Sequence, residues 1–529
     1  MVLPVGFISG RQLSATGGGG WIWNGTFDTN TNSCALMGTT VDGYLYLMGT
    51  NGSEVSLYGF DMSDGSVVFN TGMSYVLYKF WQHTAENAHG TAGNNRQLAG
   101  YKVGDNNHRL MLCGQYWTSS SYATQNSPSR FAMINFDHDP TTHAVTWGVQ
   151  VQTSGSINHS SNYFELRPAI SQVGDGGRYV WVASANNQLD YNDGFWAQLP
   201  IMYYDMADRG VTYAGGRLVD KANSTTVSYM RPSEALTFTS ASGNSNFIGT
   251  VSTQVAGAAF NGVSINNKHA SRIGPYTSGA NHQRNRWFVK TGGANEPFYA
   301  CYGYSNPYLQ KFNIYNYNPN AVEQSESVWR ISGFGSGVTA NMLCMKRNAA
   351  EDRIYILLGS NQDNDITVVE LDTNLAKQNE WSISCSSTTY WTPSNYSSSP
   401  IKSLVNMEVV TEDGTDFLVI YHKKDASNAG TIMKLPADGS ALGTYGDYTI
   451  GSSSSSYVYT GYSVVTSPTI SYLGSSRLQY GTSYLDGFPS NVYNQFSNAN
   501  NTGSSSVGAV NTSPSNSYAQ YSQNALQSV

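Results

Sequence analysis

The sequence predicts an all-β protein, a β-propeller of six blades with an extended C-terminal arm. Three observations carry that expectation: a turn signal recurs six times, an apolar strand signal recurs upstream of it, and long amphipathic helical periodicity is absent. The turn signal joins an apolar residue to an Asp- or Asn-bearing turn and then to an aromatic on the following strand. It reads Phe60-Asp61-Met62-Ser63-Asp64-Gly65, Phe136-Asp137-His138-Asp139-Pro140 and Tyr204-Asp205-Met206-Ala207-Asp208. Looser copies are Tyr315-Asn316-Tyr317-Asn318-Pro319, Leu371-Asp372-Thr373-Asn374 and Leu435-Pro436-Ala437-Asp438-Gly439, and the aromatics are Phe69, Trp147, Tyr213, Trp329, Trp381 and Tyr448. Asp, Asn and Gly suit such turns because their side chains bond the local backbone or tolerate positive φ.

The strand signal is a short apolar run after a polar corner. The runs are Tyr44-Leu45-Tyr46-Leu47-Met48, Leu110-Met111-Leu112-Cys113, Tyr179-Val180-Trp181-Val182, Trp287-Phe288-Val289, Ile354-Tyr355-Ile356-Leu357-Leu358 and Phe417-Leu418-Val419-Ile420-Tyr421. Continuous runs of this length, bounded by corners such as Asp42-Gly43 and Asp413-Gly414, read as strands buried on both faces. Each repeat then holds four antiparallel strands: one before the corner, the run, one before the Asp turn, and one carrying the aromatic. That is a propeller blade. Successive runs start 66, 69, 108, 67 and 63 residues apart. The step of 108 leaves surplus chain near 223–273, read as an insertion, with a degenerate seventh blade as the competing count. The expected organisation is a 1–20 extension, a propeller over 21–462 and a Ser/Asn/Tyr-rich arm over 463–529. A pair of β-sandwiches would also fill this length, but six ordered copies favour the ring.

Composition narrows the function classes. Charged residues make up 12% and aromatics 13% of the chain, with 37 Tyr, so the surface is built from uncharged polar groups. A net charge of −7 without clustered Lys and Arg gives no nucleic-acid footprint. The five cysteines Cys34, Cys113, Cys301, Cys344 and Cys385 form no CxxC pair, which points to free thiols and synthesis in a reducing cytosol. Residues 1–20 lack a basic and apolar leader, and no stretch reaches membrane-helix length, so neither a secretory signal nor a membrane span is expected. Within 463–529 only Arg477 and Asp486 are charged. Composition reads the part from Ser497 onward as a disordered tail. An ordered arm would need a surface to hold it, either its own propeller or, as preferred here, another subunit.

Catalytic motifs fail in turn. Gly333-Phe334-Gly335-Ser336-Gly337 has the wrong spacing for a nucleophile elbow, and neither a Walker loop nor H-E-x-x-H occurs. His83, Glu86 and His89 have i, i+3, i+6 spacing but read as loop, so no metal is expected there. Asp137-His138-Asp139 resembles an acid/base cluster yet occupies the repeated turn. Glycosidase chemistry would need two carboxylates near the axis. Glu165, Asp190, Asp193, Glu296 and Asp363 are the candidates at strand ends. The sialidase-type Asp box is missing, and Arg109, Arg178, Arg286 and Arg353 recur just before four apolar runs, which reads as a corner role. Tyr116-Trp117, Tyr122, Tyr191, Trp196, Tyr390-Trp391 and Tyr396 would suit stacking on sugar rings or on a protein.

The uncharged Ser/Asn/Tyr/Gly composition, the Met-Val-Leu-Pro-Val-Gly start, the irregular repeats and the Asn-Asn-Thr-Gly-Ser-Ser-Ser stretch from Asn500 to Ser506 resemble virion structural proteins of tailed bacteriophages, marine and cyanobacterial ones in particular. The resemblance implies a non-enzymatic virion subunit at a tail nozzle, host-facing tip or capsid surface. It would be made in host cytoplasm and assemble with other virion subunits, as a homo-oligomer or symmetric assembly. It carries over no catalytic, metal or cofactor residue. The alternative is a carbohydrate-binding or glycan-cleaving propeller used in host attachment.

Overall fold

The computed structural model describes residues 19–26, 37–50, 54–74, 78–79, 98–117, 129–152, 167–173, 178–185, 189–191, 194–208, 210–222, 232–239, 245–252, 258–264, 269–273, 286–290, 298–302, 308–312, 325–331, 340–360, 365–385, 405–423, 429–452, 462–464, 478–479 and 523–528. Every regular element among them is a β-strand, grouped into seven antiparallel sheets. The seven inner strands are Met37–Val41, Leu98–Gly104, Arg167–Val173, Pro232–Thr239, Arg286–Lys290, Ala340–Arg347 and Val405–Glu412. Each lies beside the next, and the last lies beside the first. The fold is therefore a closed seven-bladed β-propeller, with blades 1 to 7 in chain order of these strands.

The count of seven corrects the expectation of six. The surplus near 223–273 is a blade of its own, running Pro232–Thr239, Ser245–Ser252, Ala258–Ser264 and His269–Ile273 in register. It carries neither the Asp turn nor the apolar run, which is why it reads as insertion. Blade 5 is shifted too. Its inner strand is Arg286–Lys290, and its second strand is Phe298–Tyr302. Trp287-Phe288-Val289 was assigned one strand too far out, because inner and second strands are both covered on two faces. Tyr315-Asn316-Tyr317-Asn318-Pro319 lies outside the described residues.

Two-residue corners explain the tight links between inner and second strands in blades 1 and 7. Asp42 and Gly43 have φ 45° and 81°, and Asp413 and Gly414 have 49° and 78°. Positive φ at both positions matches the right-handed twist of a hairpin. At the third-to-outer links the Asp side chain organises the turn. Asp61 Oδ1 accepts the Ser63 amide at 2.8 Å, Asp139 Oδ1 that of Thr141 at 2.8 Å, Asp205 Oδ1 that of Ala207 at 2.9 Å, and Asp372 Oδ1 that of Asn374 at 2.8 Å.

The outer strand of blade 7 comes from the other end of the chain. Trp21–Thr26 pairs with Ala429–Pro436, Trp21 opposite Lys434, and closes the ring. The aromatic assigned to that place, Tyr448, instead starts the strand Tyr448–Ser452, which adds to the outer edge of blade 6 opposite Cys385. With the outer place in blade 7 taken, the nearest free edge was the neighbouring sheet. Tyr448 remains buried, its hydroxyl 2.6 Å from Thr431 Oγ1 and 3.2 Å from His422 Nε2, both on blade 7.

Blades are joined by one repeated contact. Trp21 of blade 7 donates its Nε1–H to the Met62 carbonyl of blade 1 at 2.9 Å, and its ring lies under Gly65. Trp381 of blade 6 donates to the Ala437 carbonyl of blade 7 at 3.0 Å, and its ring lies under Gly439. Arg109 of blade 2 reaches the Met206 and Ala207 carbonyls of blade 3 at 2.5 and 2.6 Å while holding Asp137 of its own blade at 2.9 Å. Arg178 likewise grips Asp205 with two bonds of 2.9 and 2.8 Å, and Arg353 grips Glu370 at 3.0 Å. The recurrent arginines are thus corner clamps; Arg286 sits on an inner strand instead. Around these contacts, one core fills the space between blades 6 and 7 and another the space between blades 7 and 1.

Gly65→Ala and Gly43→Ala separate backbone strain from packing here. Both residues have φ near +80°, but a Cβ at Gly43 meets nothing within 4 Å, whereas one at Gly65 meets the Trp21 ring at 2.7 Å. Gly43→Ala should cost about 1 kcal/mol, and Gly65→Ala clearly more, measured by urea unfolding. Equal losses would show that the Trp21 wedge does not hold blade 1.

Candidate functional site

The strand directions give the ring two unlike ends. Inner-to-second and third-to-outer links leave from one end, and the described ones are short: 42–43, 62–66, 105–106, 139–144, 348–352, 373–376 and 413–414. Second-to-third links, and the links from each outer strand to the next inner one, leave from the other end. These include the long segments 80–97, 118–128, 153–166, 274–285 and 386–404. Contacts between short turns of blades 6 and 7, 7 and 1, 1 and 2, and 2 and 3 put these five blades in one orientation.

Among the described residues, the short-turn end holds a buried cluster of titratable groups between blades 1 and 2. Tyr46 on blade 1 points its hydroxyl between two imidazoles of blade 2, 2.6 Å from His108 Nδ1 and 2.7 Å from His138 Nδ1. His108 and His138 are opposite one another in register, on Asn107–Trp117 and Ser129–His138. All three side chains are buried. Tyr44 packs edge-on against both rings, and its hydroxyl reaches the Pro140 carbonyl at 3.4 Å. His143, with φ 58°, stacks on His138 at 5.8 Å. At the mouth, Asp42 lies 3.7 Å from His108 Nε2 and is paired with Lys102 at 2.7 Å.

Proton counting fixes the states of this clasp. A single hydroxyl proton serves two Nδ1 atoms, so one imidazole accepts from Tyr46 and the other donates to it. The two neutral histidines are therefore opposite tautomers. Burial, reinforced by the charges of His108 and His143, lowers His138 to about 4. Burial also lowers His108, against the pull of Asp42. Burial raises Tyr46 above its ordinary range. The hydrogen bond from Lys102 holds Asp42 below the usual carboxylate range. A Tyr between two histidines has the parts for proton transfer, but here all three are neutral at pH 7 and sealed from solvent. The clasp therefore joins blades 1 and 2 and presents no reacting atom to a ligand. The sequence pattern Asp137-His138-Asp139 is split accordingly: Asp137 takes Arg109, His138 enters the clasp, and Asp139 makes the turn. Tyr46 and His108 gave no sequence signal, because their partners lie on another blade.

The other candidates fall elsewhere. Glu165, Asp193, Glu296 and Asp363, with His83, Glu86 and His89, lie outside the described residues, as do Tyr122, Tyr390-Trp391 and Tyr396. Asp190 and Tyr191 belong to Leu189–Tyr191, paired with Gly194–Asp205, which also contains Trp196. Tyr116 and Trp117 end the second strand of blade 2. By chain connection, segments 153–166, 192–193 and 361–364, which carry Glu165, Asp193 and Asp363, join strands at the long-segment end. Segment 291–297, with Glu296, joins an inner to a second strand, the links that leave from the opposite end. Among the described residues no group of three metal-binding side chains occurs, and Cys344 and Cys385 are buried and in no disulfide. No described helix is long and apolar enough to cross a membrane.

Neither a family model nor a curated protein matches the sequence. Among solved structures, the chain is similar to a PL25 ulvan lyase at 9% identity and TM-score 0.39, covering 78% of this chain and 94% of that one. It is similar to the polysaccharide lyase Uly1 at 10% identity and TM-score 0.37, covering 77% and 90%. The Dos1 propeller matches at 10% identity and TM-score 0.35, covering 78% and 77%. At these values the likeness carries no weight about ligand or chemistry, and the seven sheets themselves establish the fold.

The depressed histidines set a pH dependence. Their ordinary value is near 6.5, so the unfolded chain takes up protons that the fold refuses. Their contribution to stability is complete above about pH 6.5 and is lost as pH falls toward the His138 value of about 4. The melting temperature should therefore fall from pH 7 to 5, before most carboxylates titrate, and His138→Gln should flatten that slope. An unchanged slope in the variant would remove the clasp from the account.

Proposed function

We propose that this chain is a carbohydrate-recognising propeller whose ligand seat is the long-segment end of the ring. The observation behind this reading is the convergence of the sequence candidates. Tyr116-Trp117 ends the second strand of blade 2, and Asp190, Tyr191 and Trp196 flank the tip of the hairpin of Leu189–Tyr191 and Gly194–Asp205 in blade 3, all at that end. In chain order, the segments that carry Tyr122, Glu165, Asp193, Asp363, Tyr390-Trp391 and Tyr396 connect strands whose neighbouring ends lie there. Aromatic faces stack on sugar rings, and the uncharged polar surface suits hydroxyl recognition over binding of ionic partners. Functional residues gather on connecting segments held by a rigid scaffold.

Cleavage of the glycan would further require two carboxylates about 5–10 Å apart, and the four at this end are the ones to test. Attachment to a host glycan would also fit a virion protein, the class the composition resembles. The arm adds no support for docking on another subunit: its described strands, Tyr462–Val464, Leu478–Gln479 and Gln523–Ser528, all pair with the chain's own blades.

A glycan array probed with the full chain tests the reading. Binding to a subset of glycans is expected, with Trp117→Ala, Trp196→Ala or Trp391→Ala weakening it about tenfold, the equivalent of about 1.4 kcal/mol. Absence of binding by folded protein, or binding untouched by all three variants, would overturn it. Product release from a bound polysaccharide, abolished by Asp190→Asn or Asp363→Asn, would add catalysis to the reading.

A further inference from the structure

Blades 2 and 3 rise above the rest of the ring at the long-segment end. The second and third strands of blade 2, Asn107–Trp117 and Ser129–His138, have 11 and 10 residues, and the third and outer strands of blade 3, Gly194–Asp205 and Gly210–Ala222, have 12 and 13. Among the described strands of the other blades none exceeds 9 residues. Each extension is braced by an extra short strand: Tyr78–Lys79 pairs with Gln115 and Tyr116, and Leu189–Tyr191 pairs with Gly194 to Trp196. Trp117 lies ten residues past Asn107 and Trp196 nine before Asp205, so at about 3.3 Å per residue both stand about 30 Å from the short-turn end.

Their faces follow from the alternation of a strand. Arg109 reaches the turn of blade 3, so it lies on the face of blade 2 turned toward blade 3. Trp117, eight residues on in a register without shifts, shares that face. The residue before the turn Asp faces the preceding blade: Phe60 lies in the core between blades 7 and 1, and Leu435 in the core between blades 6 and 7. Phe136 likewise shares the face of His138, which meets Tyr46 of blade 1. Tyr204 holds that place in blade 3 and so lies on the face toward blade 2. Trp196, eight residues earlier, keeps that face, because both register shifts of this pair add residues to Gly210–Ala222 alone. Trp117 and Trp196 therefore stand at similar height on facing sheets.

We infer that one sugar ring of the glycan seats between Trp117 and Trp196, and that this ring is a pyranose whose hydroxyls are all equatorial. The inference rests on the carbohydrate reading above and gives it a place and a sugar class. A pyranose of gluco or xylo configuration turns axial C–H bonds toward both of its faces. An axial hydroxyl, as in manno or galacto rings, makes one face polar and loses its hydrogen bond to water where an indole covers it. Two aromatic walls therefore select against the axial isomers, whereas a single wall would accept them on the apolar face. The bracing strands matter because stacking on both sides needs walls set before the ligand arrives. Equatorial hydroxyls leave the ring at its rim and still need partners. Ser129 and Lys221 stand in register with Trp117 and Trp196 on the same two faces, so a hydroxyl and an ammonium accompany the two indoles.

A glycan array sorted by ring configuration decides it, with the full chain as probe. Bound glycans should contain gluco or xylo pyranoses, and matched chains made only of manno or galacto rings should bind about tenfold more weakly or not at all. On a bound glycan, Trp117→Ala and Trp196→Ala should each lose about tenfold, and Trp117→Phe and Trp196→Phe, which keep an aromatic face, should recover most of it. Equal binding of axial and equatorial isomers would overturn the inference. So would loss with Trp391→Ala alone, which would keep the carbohydrate reading and move its seat. Absence of binding to every glycan by folded chain would overturn that reading itself, and this inference with it. Should an alanine variant not fold, the configuration of the glycans bound by the unaltered chain decides.

Discussion

A donor on one blade reaching the first backbone carbonyls of the next blade's turn is the contact on which the ring depends. Neighbouring blades share no strand, so side chains alone must fix their spacing and tilt. Trp21 on Met62, Trp381 on Ala437 and Arg109 on Met206 perform this task at three junctions with two chemistries. Each bond contributes only about 1 kcal/mol. Its larger effect is geometric, because an indole wedged under a positive-φ glycine admits one separation between sheets. The turn must then be rigid, and the Asp side chains that bond their own turn amides make it so. Turn and aromatic are thus two halves of one joint, and the joint lies between successive repeats, not within one.

Much of this was legible in the sequence, because the joint imposes residue types. Asp-Gly corners, turn aspartates and Trp381 all mark places where only certain side chains work. Blade 4 was missed for the complementary reason: Ser245–Ser252 and its neighbours bear none of these types, so only backbone pairing reveals the sheet. Tyr448 misled because an aromatic after an Asp turn reads the same whether its strand stays in its blade or crosses to the previous one. Trp21 could not be matched to blade 7 from a period, since closure joins residues from opposite ends of the chain. His108 and Tyr46 were invisible because a clasp between blades has no fixed sequence spacing. Tyr116-Trp117, Asp190, Tyr191 and Trp196 were legible only as residue types, and the strand directions put them at one end.

Closure solves the inner problem of a propeller and leaves the outer one. Each sheet still ends in an edge strand, and a chain with 12% charged residues has few Lys or Glu with which to blunt it. Added strands on blades 3, 5, 6 and 7 answer the same need by pairing. This gives the weakly hydrophobic trailing sequence its physical sense. A segment selected to pair by backbone needs solubility and freedom from bulky clashes more than it needs an apolar face, and Ser, Asn and Gly supply both.

The two ends of the ring consequently divide their tasks. Among the described residues of the short-turn end, Asp42 is committed to Lys102, Asp137 to Arg109, Asp205 to Arg178, and the histidine pair to Tyr46. A ligand arriving there would have to break a joint to gain a partner. The opposite end is released from that duty, because the joints already hold the blades. Its segments can lengthen and vary without loosening the scaffold, since lengthening a loop costs only slowly increasing entropy. Rigidity at one end leaves the other free to vary in sequence, which is the physical basis of the proposal that the aromatics and carboxylates there meet a carbohydrate.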